Sequence, residues 1–272
     1  MQKRYVRWII AIIITLSAAV YQRMTGPTYP MRVSVELDGN VHKYKLIRSH
    51  GGETDLELKL SVPDTTYKAC LYYRRYKTDV EWHKIGFDRN GEYLVGNLPH
   101  QPPAGKLEYF VELKKNDEVY TLPQSKTVVV RFKGAVPSGV LVPHILFMFI
   151  AMLVSSMSGL EALVSGDKTK TFVIITTVCL FIGGMVLGPI VQKFAFGQYW
   201  TGIPFGWDLT DNKTLLAMIG WFMALAVTWK GDIKRNRWWV VAAAVILLAM
   251  YSIPHSVMGS ELDYSKMEVV TG

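Results

Sequence analysis

The sequence predicts a membrane α+β protein. An all-β sandwich of the immunoglobulin or fibronectin type III kind is inserted between an N-terminal transmembrane helix and a four-helix transmembrane bundle, five transmembrane helices in total. Three observations predict this. Five apolar runs approach or reach the roughly 20 residues that cross a bilayer as a helix. Charge is segregated, because residues 23–138 hold 18 of the 30 Lys and Arg and 14 of the 22 Asp and Glu. Within that charged segment, alternating apolar residues and turn signals recur, and no helical period develops.

Composition already excludes several classes. Half of the 272 residues are apolar or aromatic, 19% are charged, and mean hydropathy is positive at +0.18. That excludes a purely soluble protein, a disordered chain and a small disulfide scaffold. The net charge of +8 is spread thinly, which argues against a nucleic-acid partner. Cys70 lies in the polar segment and Cys179 in an apolar run, so no disulfide is expected between them.

The first element, residues 1–22, is read as a transmembrane anchor built on the run Trp8 to Tyr21. Its basic flank (Lys3, Arg4, Arg7) and the small residues Ser17 and Ala19 also fit a signal peptide; the uncleaved anchor is the preferred reading. The other runs are Gly139 to Met157, Phe172 to Val191, Thr214 to Trp229 and Trp238 to Ile253. Trp8, Trp200, Trp207, Trp229, Trp238 and Trp239 fall near their ends, as an aromatic belt requires. Basic residues set the orientation. Lys3, Arg4 and Arg7, then Lys168 and Lys170, then Lys230, Lys234, Arg235 and Arg237 all flank the same side, which should be cytoplasmic. Residues 23–138, the loop 192–213 and the acidic C-terminal tail then lie outside.

Residues 23–138 form the predicted sandwich. MRVSVEL and VHKYKLI alternate around Asp38-Gly39-Asn40, a hairpin signal. LELKLSV and YKACLYYRRY follow, then short runs near Glu81–Ile85, Tyr93–Val95, Leu107–Leu113, Val119–Leu122 and Thr127–Phe132. About eight strands in about 105 residues fit such a sandwich, and the lack of a Cys-Trp-Cys framework favours the fibronectin-like version. Tyr109, following the loop Pro102-Pro103-Ala104-Gly105, is read as a tyrosine corner, with an ordinary core tyrosine as the alternative. Tyr73, Arg74, Arg75, Tyr76 and Lys77 make a basic-aromatic patch suited to headgroups or an acidic partner, unless they are simply a strand's solvated face. His42, His50, His83 and His100 are scattered and have no metal-ligand spacing.

Residues 139–272 form the predicted four-helix bundle. Gly183, Gly184 and Gly188 mark a close-packing face. Gly188-Pro189 should end or kink its helix. The loop FGQYWTGIPFGWDLTDNK (Phe196 to Lys213) should anchor in the interface through Tyr199, Trp200, Phe205 and Trp207, and Tyr199, Trp200 and Trp207 are the candidate lining for a cofactor such as a quinone headgroup. Asp211 is expected to cap the following helix, which leaves Asp208 without a simple structural reason. His144, one turn inside the second helix, is an ionisable group within a span and therefore a functional hypothesis. With His255 at the end of the fifth helix, and with Asp208, Asp211, Glu261 and Asp263, it makes the candidate ligand set for a transition metal or a haem b. No Walker loop, nucleophile elbow, H-E-x-x-H, C-x-x-C-H or dinucleotide fingerprint is present, and five spans do not divide into inverted repeats.

The strings TGPTYP (Thr25 to Pro30), LPHQPPAGKLEYFVEL (Leu98 to Leu113), GPIVQKFAFGQYWTGIPFGWDLTDNK (Gly188 to Lys213) and IPHSVMGSELDY (Ile253 to Tyr264) resemble an uncharacterised family of bacterial inner-membrane proteins that carry a periplasmic fibronectin-III or immunoglobulin-like domain. The resemblance covers most of the chain. It implies a bacterial inner membrane, the sandwich-plus-bundle layout and a periplasmic sandwich; it implies no activity and no catalytic residue. The expected role is non-enzymatic: a periplasmic interaction or assembly module, or a subunit of a membrane complex, with the lipid bilayer and other membrane or periplasmic proteins as partners. A metal- or haem-dependent redox protein is the alternative, and a small-solute transporter ranks third.

Overall fold

The computed structural model describes residues 2–78, 80–255, 257 and 259–270, with the side chains of Gln2 and Lys3 outside the described part. The protein is mixed α+β and divides into two compact units. One comprises the described residues up to Pro27 together with Val136–Ser260; the other comprises Thr28–Ala135 and Glu261–Val270. Glu261–Val270 therefore groups with the β unit, whereas the sequence reading at 139–272 places it with the bundle.

The helical unit contains α1 (Gln2–Thr25), α2 (Ser138–Leu163), α3 (Thr169–Leu180), a π-helical segment (Phe181–Leu187), α4 (Gly188–Phe196), α5 (Leu209–Trp229) and α6 (Ile233–Ser252). Three stretches, Arg4–Thr25, Ser138–Leu163 and Thr169–Phe196, are long and apolar enough to cross a membrane. The third continues through Gly188-Pro189 without ending there. Pro189 sits in the first turn of α4, just beyond the wide π turn, where its missing amide hydrogen breaks no regular bond. The helix ends instead at Gly197, whose φ of +86° is a left-handed cap and whose amide bonds the Lys193 carbonyl at 2.9 Å.

α2 packs on α1, α3 and α6, and α5 packs on α3 and α6. Small residues allow the close approach. A Cβ on Gly183 would lie 3.0 Å from Phe147, and one on Gly184 would lie 2.8 Å from Thr214. The core between the helices is apolar around the fully buried Trp221, with Val173, Leu180, Met218 and Val240. Glu161 is the most deeply buried of the charged side chains described in this unit. Glu161 on α2 is fully enclosed, with Arg7 Nη2 at 2.8 Å and Arg4 Nη2 at 3.2 Å, and Arg4 also pairs with Asp167. The apolar run stops at Met157 in the sequence, but the helix carries on to Leu163, and that last turn places Glu161 against α1.

The β unit contains β1 (Met31–Leu37), β2 (Asn40–Leu46), β3 (Ser49–Gly51), β4 (Leu56–Ser61), β5 (Lys68–Arg75), β6 (His83–Gly86), β7 (Asp88–Asn90), β8 (Tyr93–Leu98), β9 (Lys106–Lys115), β10 (Glu118–Leu122), β11 (Val128–Lys133), β12 (Glu261–Asp263) and β13 (Glu268–Val270). β1 and β2 form the predicted hairpin, with Asp38 and Gly39 both at positive φ, as a tight two-residue turn demands. The largest sheet has the order β3-β11-β9-β5-β6, with β10 also on β9; a second has the order β4-β8-β7; β12 and β13 make a separate hairpin. Inward residues of β1, β2, β4, β5, β8, β9 and β11 share one core, including Leu37, Leu46, Leu60, Leu71, Leu98, Val111 and Phe132. β3 and β7 have three residues each, too short to show a period in the sequence.

Tyr109 is fully buried in that core, and its hydroxyl donates to the Ile47 carbonyl at 2.8 Å. The partner lies 62 residues away in the chain, so this bond joins β9 to the segment after β2. A tyrosine corner bonds its own turn; Tyr109 does not, and that reading is corrected. Cys70 on β5 and Cys179 on α3 are both free thiols.

Candidate functional site

The loop Gly197–Asp208, between α4 and α5, is built on buried polar groups and carries exposed aromatic ones. Asp208 is the N-cap of α5. Its Oδ1 accepts from the Thr210 amide at 2.8 Å, and its Oδ2 accepts from the Ser260 amide and hydroxyl, both at 2.9 Å. Asp211 lies one turn on, and its Oδ2 accepts from the Thr201 amide at 2.6 Å, the Gly202 amide at 3.1 Å and the Gln192 side chain at 3.1 Å. The expected roles are thus exchanged: Asp208 caps the helix, and Asp211 fastens the preceding loop. Asp208 is the last residue before α5, the position where a side-chain oxygen meets the free amides of the first turn.

Other bonds complete the loop. Asn212 Oδ1 accepts from the Ile203 amide at 2.7 Å, Trp200 Nε1 donates to the Ile203 carbonyl at 3.1 Å, and the Asp208 amide reaches back to the Thr201 carbonyl at 3.1 Å. Gly202 is confined; a Cβ there would meet Asp211 at 2.6 Å. Each of these bonds holds backbone, so the side chains between them point away. Phe205 is 81% exposed and Trp207 is 74% exposed, with Tyr199 and Ile203 also exposed. Trp200 is half-buried against its own loop. Tyr199 and Trp207 are thus presented outward, and Trp200 packs on its own loop.

The histidines stand close to this scaffold. His144 on α2 contacts the Gly183 carbonyl through Nδ1 at 2.9 Å. A carbonyl only accepts, so the proton sits on Nδ1 and Nε2 keeps the free lone pair. Gly183 lies in the π-helical segment, and its carbonyl also accepts the Gly188 amide. α2 and α6 are neighbours, with Phe149 edge-on to Tyr251 at 6.3 Å. His255 follows α6, is exposed, and lies within electrostatic reach of His144, Lys213 and Asp208. Lys213, which the sequence reading passed over, is buried and donates to the Ile253 carbonyl at 2.6 Å.

The six proposed ligands divide between the two units, with His144, His255, Asp208 and Asp211 in the helical one and Glu261 and Asp263 in the β one. Asp208 and Asp211 spend their oxygens on amides and hydroxyls, as above. Glu261 and Asp263 belong to the β unit, where Glu261 pairs with Lys77 at 2.7 Å and Lys106 at 2.6 Å, and Asp263 accepts the Ser265 amide at 2.8 Å. Among the described residues, no group of three His, Cys, Asp or Glu side chains is placed to hold a metal ion.

The basic-aromatic segment of β5 is split by strand alternation. Tyr73 turns toward the core, while Tyr72 stacks on Phe110 of β9 at 4.9 Å. Trp82 meets Phe110 edge-on at 5.0 Å, and Arg74 lies 4.6 Å above Trp82 while its Nε bonds Glu108 at 2.7 Å. Compared with family models, curated proteins and solved structures, the chain matches none.

Proposed function

We propose that this is a multi-pass membrane protein that acts as an assembly subunit, docking a partner through the aromatic loop Gly197–Asp208 and carrying an immunoglobulin-like sandwich on the same, extracytoplasmic side. One observation carries the reading: Phe205 and Trp207 are largely exposed on a backbone that Asp208, Asp211 and Asn212 hold in place. Aromatic side chains presented without ordering cost are the usual anchors of protein interfaces.

Five spans are supported by the lengths of α5 and α6, 21 and 20 residues, each about 30 Å of helix. Both pack into the same bundle as the three more apolar stretches, and both leave large apolar side chains exposed, among them Leu216, Phe222 and Val245. The sandwich assignment rests on strand order. With β4, β5, β7, β8, β9 and β11 as strands B to G, the sheets read B-E-D and C-F-G. Basic residues at the ends of α1, α3 and α6 favour a cytoplasmic N-terminus. The sequence strings quoted above favour a bacterial inner membrane and a periplasmic sandwich.

The test is site-specific photo-cross-linking in cells. A photoreactive residue at position 205 should give discrete protein adducts, and Trp207→Ala should deplete proteins that co-purify in mild detergent. Adducts to lipid alone, with the protein always recovered by itself, overturn the proposal.

A metal- or haem-dependent redox role is the second reading. The observation in its favour is the fixed Nδ1–H tautomer of His144, since a metal-binding imidazole commonly donates its other ring nitrogen to a backbone carbonyl. Elemental mass spectrometry of the purified protein decides it. Stoichiometric metal lost in His144→Ala supports the reading; metal retained after His144→Ala with His255→Ala removes those ligands from it.

A further inference from the structure

The C-terminal hairpin β12–β13 sits on the β unit without joining either of its main sheets. It is held mainly by side chains. Glu261 receives the ammonium groups of both Lys77 and Lys106. The Tyr264 hydroxyl donates to the Lys106 carbonyl at 3.1 Å, and Arg75 lies 4.7 Å above its ring. One backbone bond runs between them, from the Leu262 amide to the Ala104 carbonyl at 3.1 Å. A cleft of about 300 Å³ lies along this contact, with Tyr76, Lys77 and Lys106 on the sandwich side. Two ammonium groups, those of Lys77 and Lys106, lie over the Tyr76 ring, each 5.6 Å from its centre.

This is the way a domain holds a short peptide: charge pairing at one position, an aromatic three residues on, and a main-chain bond between. We propose that the Tyr76–Lys77–Lys106 cleft is a docking site for an acidic peptide segment of a partner protein, with the spacing Glu-x-x-Tyr, and that Glu261–Tyr264 is its resident occupant in cis. A peptide fits better than a lipid headgroup because the site also supplies acceptors, the Ala104 and Lys106 carbonyls, placed for an amide and a phenol. Two lysines confer the preference for a carboxylate, and Lys106, the less exposed of them, makes the shorter contact. Nothing in this site involves the aromatic loop, so either proposal can fail alone.

The test uses the full chain in mild detergent and a labelled synthetic peptide of residues 259–268, read by fluorescence anisotropy. Wild type should bind it weakly, because Glu261 and Tyr264 already hold the two lysines and the Lys106 carbonyl. The variant Glu261→Ala with Tyr264→Ala should bind about tenfold tighter, as expected when a competitor held by an ion pair and a tyrosine is removed. Adding Lys77→Glu and Lys106→Glu should abolish binding, and a peptide with lysine in place of its glutamate should restore it. That restoration separates lost charge from lost fold. No gain over wild type in the released variant, or equal binding by the charge-reversed one, overturns the proposal. Lysine-dependent binding of phosphatidylglycerol vesicles, with none of the peptide, overturns it in favour of a lipid surface.

Discussion

Glu161 is the group whose removal should cost the helical unit most. Its carboxylate is fully buried, 2.8 Å from Arg7 and 3.2 Å from Arg4. The arginines differ in what they can do without it. Arg4 is 38% exposed and keeps Asp167 as a partner, whereas Arg7 is 16% exposed and pairs with Glu161. Glu161→Leu therefore strands chiefly Arg7. Breaking a buried pair by deleting one member costs about 3–5 kcal/mol. A charge pair at about 3 Å with an effective dielectric near 20 gives about 5 kcal/mol, the same scale. Arg7→Leu combined with Glu161→Leu removes both charges and should recover most of that loss, because apolar replacement of a whole pair is often neutral. The assay is thiol labelling of buried Cys179 in a Cys70→Ser background, followed against temperature in detergent. The reasoning fails if Glu161→Leu lies within about 0.5 kcal/mol of wild type, or if the double variant is no better than the single one.

Three further outcomes follow from other sites. Asp211→Ala should leave the Thr201 and Gly202 amides without their acceptor, cost about 1–3 kcal/mol, and open the loop to protease between Tyr199 and Trp207; an unchanged cleavage rate contradicts this. Glu261 is pushed up by burial but more strongly held down by Lys106 and Lys77, so its carboxyl titrates below its ordinary value of 4.5. A lowered folded pKa gives stability that is present above the unfolded value and lost as pH falls through the folded one. Hydrogen exchange at Leu262 should thus stay protected from neutral pH down to the carboxylate range and weaken only below it; loss already near about pH 6 refutes the pairing. Tyr109→Phe should cost about 1–2 kcal/mol in thermal unfolding of the β unit, because the Ile47 carbonyl loses its donor, and no change in melting would refute that role.

Much of the fold was legible in the chain because its two chemistries are written in different periods. Strands such as Leu56–Ser61 alternate buried and exposed without exception, and Asp38-Gly39 announces its turn. The apolar runs announce helices for the same reason, but not their ends. Glu161 lies beyond the apolar run that ends at Met157, and Gly188-Pro189 reads as an end or a kink because the π turn before it has no residue signature. The candidate site was half legible. Its aromatic residues were evident from type and position. Its scaffold was not, since the partners of Asp208 and Asp211 include Ser260 and Gln192, brought there only by the packing of helices. Tyr109 shows the same limit: its partner Ile47 is close in space and far in sequence.

The π-helical segment has a consequence for phase. A π turn holds more residues than an α turn, so one extra residue in the turn sets every later side chain back by about 100° around the axis relative to an unbroken α-helix. Gln192 lies beyond the segment, and its amide donates to Thr201 at 2.7 Å and to Asp211 at 3.1 Å. Were Phe181–Leu187 wound as plain α-helix, Gln192 would face elsewhere and the loop would lose that brace. The wide turn and the aromatic loop are therefore set by a single rotation, in the way that a keyway cut into a shaft fixes where everything mounted beyond it will point.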